Sequence, residues 1–225
     1  MRYCYLFLKR LFDMVCSLLG LIVSLPFWLV AVVGIKLSDP GPVFYVSNRL
    51  GRGNQNFRMY KFRSMRVGKA NEALLRGEEL RIFPFGQFMR DTKIDELPQL
   101  LNILKGDMSI VGPRPAATAQ RDITRSGRFE AVGRVQAGLT GPSALYDYIF
   151  GDTVSTLEDY ERLVLPTRLE LDLVYLEKMS AAFDLKMIWW TVVCIACSIA
   201  GRKPEKIFGQ LLQWADEERK EPVHG

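Results

Sequence analysis

The stretch KIDELPQLLNIL, Lys93 to Leu104, sets the reading of this chain. Leu97, Leu100, Leu101 and Leu104 recur at the spacing of one helical face. Pro98 suits a first turn, where no intrahelical N–H bond is lost. Asp95 and Glu96 stand where that helix should begin. A helix start carries unpaired N–H groups and partial positive charge, so both carboxylates are expected to be held ionised, with lowered pKa values. An ionised aspartate is competent as a nucleophile or a metal ligand. Taken alone, however, an acidic pair at a helix start reads as ordinary capping.

The rest of the chain narrows the chemistry. Its 225 residues suggest one domain, or a domain with an appendage. Thirty Lys+Arg against 25 Asp+Glu leave a net charge of +5. That balance suits an anionic partner, whether lipid headgroups, nucleotide phosphates or nucleic acid, without choosing among them. The single histidine is His224, beside the end, which argues against a His general base, a Ser-His or Cys-His pair and a His-ligated metal. Cys194 and Cys197 form a C-x-x-C inside the apolar run IWWTVVCIACSIA, with no second ligand pair. They read as small buried apolar residues rather than zinc ligands. Any nucleophile or acid–base group is therefore expected among the carboxylates.

From Met14 to Ile35 no residue is charged. As a straight helix this run would reach about 33 Å, enough to cross a bilayer core. It is longer than a signal-peptide h-region and has no small-x-small site before Asp39. Pro26 lies near its middle and should kink it, with Ser24 placed to recapture a freed backbone group. Both flanks are basic: Arg2, Lys9 and Arg10 before, then Lys36, Arg49, Arg52, Arg58, Lys61 and Arg63 after. A kinked helix that enters and leaves the same leaflet satisfies both features. An ordinary spanning helix with a tolerated proline stands beside it as the alternative.

After DPGP, Asp39 to Pro42, the segments PVFYVSNRL and NFRMYKFRSM read as two strands around the turn GRGN. Period two puts Lys61 and Arg63 on one face, an arrangement that two solvated edge-strand cations would share. Val67 to Arg81 is charged and helix-compatible. Gln120 to Arg134 is polar and basic, and Ala137 to Tyr146 is loop-rich. LELDLVYLEKMSAAFDLKMIWW is helical in pattern. Met187 to Ala200 is short for a crossing and reads as an interfacial or buried helix, with Trp189 and Trp190 at a headgroup boundary or buried as a pair. Ile207, Phe208, Leu211 and Leu212 among charges mark an amphipathic tail. The expected fold is α+β and mostly helical: a re-entrant N-terminal membrane helix over 1–38, a catalytic core over 39–200 with a small β-hairpin and interfacial amphipathic helices, and a tail over 201–225.

Lys61, Arg63, Arg90 and Arg114 are the candidate ligands around the acidic pair, Arg114 being held between two prolines in GPRP. Were they to converge, their charge would exceed that of Asp95 and Glu96, and the surplus implies a bound anion. A diphosphate is the natural candidate, with magnesium held between a carboxylate and phosphate oxygens. There is no G-x-x-x-x-G-K-[ST], GRGNQN lacks the third glycine of a dinucleotide fingerprint, and no strand–helix alternation supports a Rossmann sheet.

At these residues the chain resembles a known family. KRLFD, a proline-broken apolar helix, YKFRSM and IDELPQLLNILKGDMSIVGPRP are similar to the bacterial sugar transferases known as monotopic phosphoglycosyl transferases. LELDLVYLEKMSAAFDLKMIWWTV resembles their closing helical segment, and the likeness runs from about Leu8 to Val193. The resemblance implies transfer of a phosphosugar from a UDP-sugar to a polyprenyl phosphate such as undecaprenyl phosphate, with release of UMP, as the first membrane step of glycoconjugate assembly. It implies Asp95 as the nucleophile that carries the phosphosugar and Glu96 as a holder of Mg2+. Lys61, Arg90 and Arg114 match phosphate-contacting positions, and the N-terminal helix matches a re-entrant helix broken at Ser24 and Pro26. It also implies the cytoplasmic face of a bacterial inner membrane, with a UDP-sugar, a polyprenyl phosphate and membrane lipid as partners, no nucleic acid, and room for a homo-oligomer. Leu25 separates Ser24 from Pro26, where the family has Ser-Pro. The family's Pro-Gly-Ile-Thr-Gly with a nearby Gln is here Ala137 to Gly141 without the Gln. The multi-helix N-terminal extension of larger members is not found before the anchor, so the chain looks like a minimal catalytic unit. A glycosyltransferase moving the sugar alone, with Asp95 as base or metal ligand, and a non-catalytic membrane scaffold are the competing readings.

Overall fold

The computed structural model describes residues 2–67, 82–150, 154 and 156–220. Of the segment expected to be helix-compatible, residues 68–81 lie outside the described residues, as does His224.

The uncharged run forms one long helix, α1 (Arg2–Ser38), of 37 residues. The helix continues through Pro26. Ser24 does bond the backbone, but it donates to Leu21 O at 3.2 Å rather than to the Ile22 carbonyl that Pro26 leaves without its usual partner. The same hydroxyl accepts from the Trp28 indole at 3.1 Å. Much of α1 presents bare apolar side chains: Val23 is 70% exposed, Leu25 62% and Leu29 67%. By length and composition this helix can cross a membrane. A face this apolar suits lipid rather than water.

The other half of α1 is bound to protein, and the KRLFD motif explains how. Lys9 pairs with Asp184 at 2.7 Å. Arg10 donates to Ile103 O and Leu104 O at 2.7 and 2.9 Å. Those carbonyls end α3 (Gln99–Lys105), so the guanidinium both satisfies and electrostatically complements a helix C-terminus. Asp13 accepts from Ile110 N at 3.0 Å.

β1 (Phe44–Leu50) and β2 (Asn56–Phe62) form the expected antiparallel hairpin, with Tyr45 opposite Lys61. α2 (Pro84–Asp91) follows, with Pro84 in its first turn. Trp28 lies edge-on to Phe62, centroids 5.1 Å apart, and Phe44 stacks on Phe62, which seats the hairpin against α1. Asn102, fully buried on α3, donates to Arg58 O at 2.7 Å and accepts from Tyr60 N at 3.0 Å. This clip sets β2 against α3 and brings Lys61 beside the acidic pair.

A second small sheet was not expected. The loop-rich segment begins with strand β4 (Ala137–Thr140), which pairs in parallel with β3 (Met108–Val111), and continues as α4 (Pro142–Phe150). The reason is backbone contact, which glycine makes possible. Gly112 N donates to Thr140 O at 2.9 Å and Gly138 N to Pro113 O at 2.8 Å. A Cβ on Gly138 would stand 2.2 Å from Gly112 N and 2.5 Å from Thr140 O, neither of which can yield. Gly138→Ala should therefore cost about 1–3 kcal/mol or more. Thermal unfolding of the detergent-solubilised protein should show a lowered Tm. An unchanged Tm would mean the two backbones are not pressed together as described.

α5 (Leu165–Lys178), α6 (Ala181–Ile199) and α7 (Glu205–Lys220) complete the described chain. Leu171, Leu173, Val174 and Tyr175 of α5 are at the centre of the largest core cluster. The tail's apolar face is not left for a surface. Ile207, Leu211 and Trp214 of α7 are buried in that cluster. α6 begins earlier than the apolar run implied and is 19 residues long, enough to cross a membrane by length and composition. The tryptophan pair divides: Trp189 is 64% exposed, while Trp190 stacks on Trp214 at 5.4 Å. Among the described residues the fold is mostly helical, with two two-stranded sheets.

Candidate functional site

Asp95 and Glu96 are not in the first turn of α3. They form a separate 3-10 turn, Ile94–Glu96, and α3 starts only at Gln99. Lys93 opens the turn in the left-handed region, φ 59°, unusual for a residue with a side chain. Bonds from Lys93 N to Arg90 O, Glu96 N to Lys93 O and Leu97 N to Ile94 O hold it in place. Such a conformation persists only where surrounding structure imposes it, and it tends to mark functional sites.

A polar cavity of about 180 Å³ opens at this turn. Asp95 and Glu96 line it together with Lys61 from β2, Arg90 from the last turn of α2, Lys93 and Arg114. Three of the four expected cations therefore meet at the acidic pair. Arg63 does not line the cavity. Alternation along β2 ends at Phe62, and the next residue turns into the interior. There the buried Arg63 guanidinium pairs with Asp39 and donates to Pro42 O at 2.6 Å, holding the DPGP corner.

The two acids differ in state. Lys61 Nζ is 2.7 Å from Glu96 Oε1. Burial alone would raise Glu96, but Lys61, Lys93 and Arg114 together hold its carboxyl well below the usual range. Asp95 goes the other way. It is 5% exposed, and burial raises its carboxyl above the ordinary aspartate value, against the pull of Lys61 and with Glu96 adding repulsion. The expectation that both would fall failed because the pair is buried ahead of the helix and Lys61 bonds Glu96. Among the described residues, Asp95 Oδ1 has no hydrogen-bond partner.

That unpartnered oxygen bears on the metal. No group of three or more His, Cys, Asp or Glu stands ready to enclose an ion among the described residues. Magnesium does not require one, since it commonly takes one or two carboxylates and completes its shell with water and substrate phosphate. Asp95 Oδ1 and Glu96, beside a cation-lined cavity, fit that pattern.

Residues outside the sequence prediction also shape the cavity. Asp147, Tyr148 and Tyr160 line it. Arg114 Nε pairs with Asp147 Oδ2 at 2.6 Å. Tyr160 OH donates to Asp147 Oδ1 at 2.7 Å and accepts from Arg168 Nη1 at 3.1 Å. Arg168 Nη2 returns to Arg114 O at 3.2 Å, closing a ring around Arg114. Arg114 N donates to Ser143 Oγ and Asp172 Oδ1, both at 3.1 Å. Burial would raise Asp147, but Arg114 and Arg168 and the Tyr160 bond hold its carboxyl below its ordinary range. An acid between two tyrosines in ALYDYIF was the one available sequence signal for this wall.

Four cations against three acids line the cavity, and that excess of positive charge makes a place for an oxyanion such as a diphosphate. Comparison with known proteins agrees. The family model for bacterial sugar transferases matches residues 4–198. The UDP-glucose:undecaprenyl-phosphate glucose-1-phosphate transferase of Escherichia coli (strain K12) is 36% identical over 189 residues, 82% of this chain and 39% of that protein. An Aeromonas hydrophila UDP-N-acetylgalactosamine-undecaprenyl-phosphate N-acetylgalactosaminephosphotransferase is 32% identical over 88% of this chain and 46% of its own length. The exopolysaccharide production protein PSS of Rhizobium leguminosarum bv. phaseoli is 36% identical over 84% of this chain and 94% of its own length. The chain thus spans less than half of the first two relatives and nearly all of the third. With a match over most of its length, this chain belongs to the bacterial sugar transferase family.

Proposed function

We propose that this protein transfers a phosphosugar from a UDP-sugar to a membrane polyprenyl phosphate, of which undecaprenyl phosphate is the example, through a covalent intermediate on Asp95. The observation that carries this is Asp95 itself: buried, with one carboxylate oxygen lacking a partner, beside a cavity lined by Lys61, Arg90 and Arg114. An Asp95 oxygen attacks the phosphorus that bears the sugar. The bond from that phosphorus to the bridging oxygen breaks, and UMP leaves with both electrons. An oxygen of the polyprenyl phosphate then attacks the same phosphorus, forming the diphosphate and returning Asp95 as carboxylate. The acceptor phosphate is already anionic, so no strong base is required. Arg90 and Arg114 neutralise and orient the donor phosphates. Lys61 keeps Glu96 ionised. Glu96 would hold magnesium, and the bound ion would supply charge neutralisation on the donor diphosphate.

Incubation with a panel of UDP-sugars should leave a phosphosugar adduct on Asp95, visible by mass spectrometry, with release of UMP. EDTA should abolish turnover and magnesium should restore it. Release of UDP would favour transfer of the sugar alone, and neither adduct nor turnover would favour a scaffold.

The bare apolar face of α1 and the bonding of its N-terminal half to the core support a monotopic, re-entrant path in the bacterial inner membrane, with the cavity at the cytoplasmic headgroup level. Cysteine labelling at either flank of Met14–Ile35 should then find both ends on the cytoplasmic side. Labelling on opposite sides would restore a spanning helix.

A further inference from the structure

A second cavity joins the first. It has a volume of about 310 Å³, and Leu97, Leu100, Ile110, Leu139, Val192 and Ile195 give it apolar walls. Lys93, Glu96, Arg114 and Tyr148 line both cavities, so the two meet along a seam beside the acidic pair. At that seam Lys93 is held in the left-handed conformation noted above. Its ammonium lies 3.8 Å from the Tyr148 ring centroid, and the Tyr148 hydroxyl is tied to Asp91 O at 2.9 Å. Among the described residues that ring is its contact, and no carboxylate pairs with it, Glu96 being taken by Lys61. With no direct ion pair among the described residues, this ammonium is placed to meet an anion entering the groove.

We infer that the apolar cavity and Lys93 together form the acceptor site, with the lipid's phosphate on the Lys93 ammonium and the first isoprene units of its chain between α3, β4 and α6. The occupant follows from the shape of the charge. One end of the groove is cationic and opens onto Asp95, the other is apolar and is walled by α6, a helix apolar enough for a membrane. A lipid phosphate matches both ends, whereas a nucleotide matches only the first and a neutral lipid only the second. This assignment rests on the proposed transfer reaction for its choice of lipid.

The test is equilibrium binding of undecaprenyl phosphate to the full chain in detergent, by native mass spectrometry. It needs neither donor nor turnover, so it can fail while an Asp95 adduct forms, and succeed while none does. Lys93→Ala should weaken binding about tenfold to a hundredfold, the range for losing a charge-assisted contact. Lys93→Arg should restore most of it. Lys93→Gly, which suits the left-handed backbone, should match the alanine variant and so separate lost charge from misfolding. Val192 is 53% exposed on the groove wall, so Val192→Trp can fill the groove without disturbing the core. It should weaken undecaprenyl phosphate binding while sparing isopentenyl phosphate, which has a single isoprene unit. Lys93→Ala should weaken both ligands, and undecaprenol should bind poorly to every form. Parental affinity for undecaprenyl phosphate in either Lys93→Ala or Val192→Trp overturns the assignment.

Discussion

Asp95→Asn abolishes phosphosugar transfer, by at least ~10³-fold, and leaves a protein at least as stable as its parent. The first half follows from replacing a carboxylate nucleophile by an amide that cannot form an acyl phosphate. The second follows from burial. The folded state raises the Asp95 pKa, so its charged form is less favourable there than in the unfolded chain. Its contribution therefore weakens the fold as pH rises from the ordinary aspartate value through the raised one. Asparagine removes the buried charge and should recover about 1–3 kcal/mol at neutral pH. Glu96 behaves oppositely: its lowered pKa stabilises the fold above the ordinary glutamate value, a contribution lost as pH falls through the folded one. Tm against pH for parent and variant separates the two, because only the Asp95 contribution disappears. A variant that keeps activity, or that unfolds at lower temperature than the parent across the neutral range, contradicts the assigned state of Asp95.

Arg168→Ala should cost about 3–5 kcal/mol, the range for removing one partner of a buried charge network. Arg168 is 3% exposed and reaches the cavity lining through Tyr160 and the Arg114 carbonyl. Its loss leaves Asp147 and Asp172 with less compensating charge, and Asp172 is already raised by burial against the pull of Arg168. For a chain of this size that loss corresponds to a fall in Tm of about 10 °C. Arg168→Lys keeps the charge but not the fork that reaches both Tyr160 and Arg114 O, so stability should recover more than activity does. The informative readout is the KM for the UDP-sugar in the lysine variant. A misaimed Arg114 raises it, whereas a purely structural role leaves it unchanged.

The local elements were legible where the pattern is local. The apolar stripe of KIDELPQLLNIL placed α3, alternation around GRGN placed the hairpin, and the uncharged run placed α1. The acidic pair and the cations Lys61, Arg90 and Arg114 could be nominated from residue type, because phosphate recognition draws on so few side chains. Arg63 could not be separated from Lys61 by counting in twos, since a strand's period says nothing after the strand ends. β4 was hidden because its residues are small and paired by long-range backbone contact with Gly112, which leaves no hydrophobic alternation to read.

By itself the sequence determined the helices α1, α3 and α5, which run is apolar enough for lipid, and which few residues can do phosphate chemistry. Tertiary structure alone decided that Glu96 takes the Lys61 ammonium while Asp95 keeps an unpartnered oxygen, and that Arg168 rings Arg114 from α5. The reason is physical: ionisation state and side-chain aim depend on burial and on partners brought in from far along the chain, and neither can be read from local spacing.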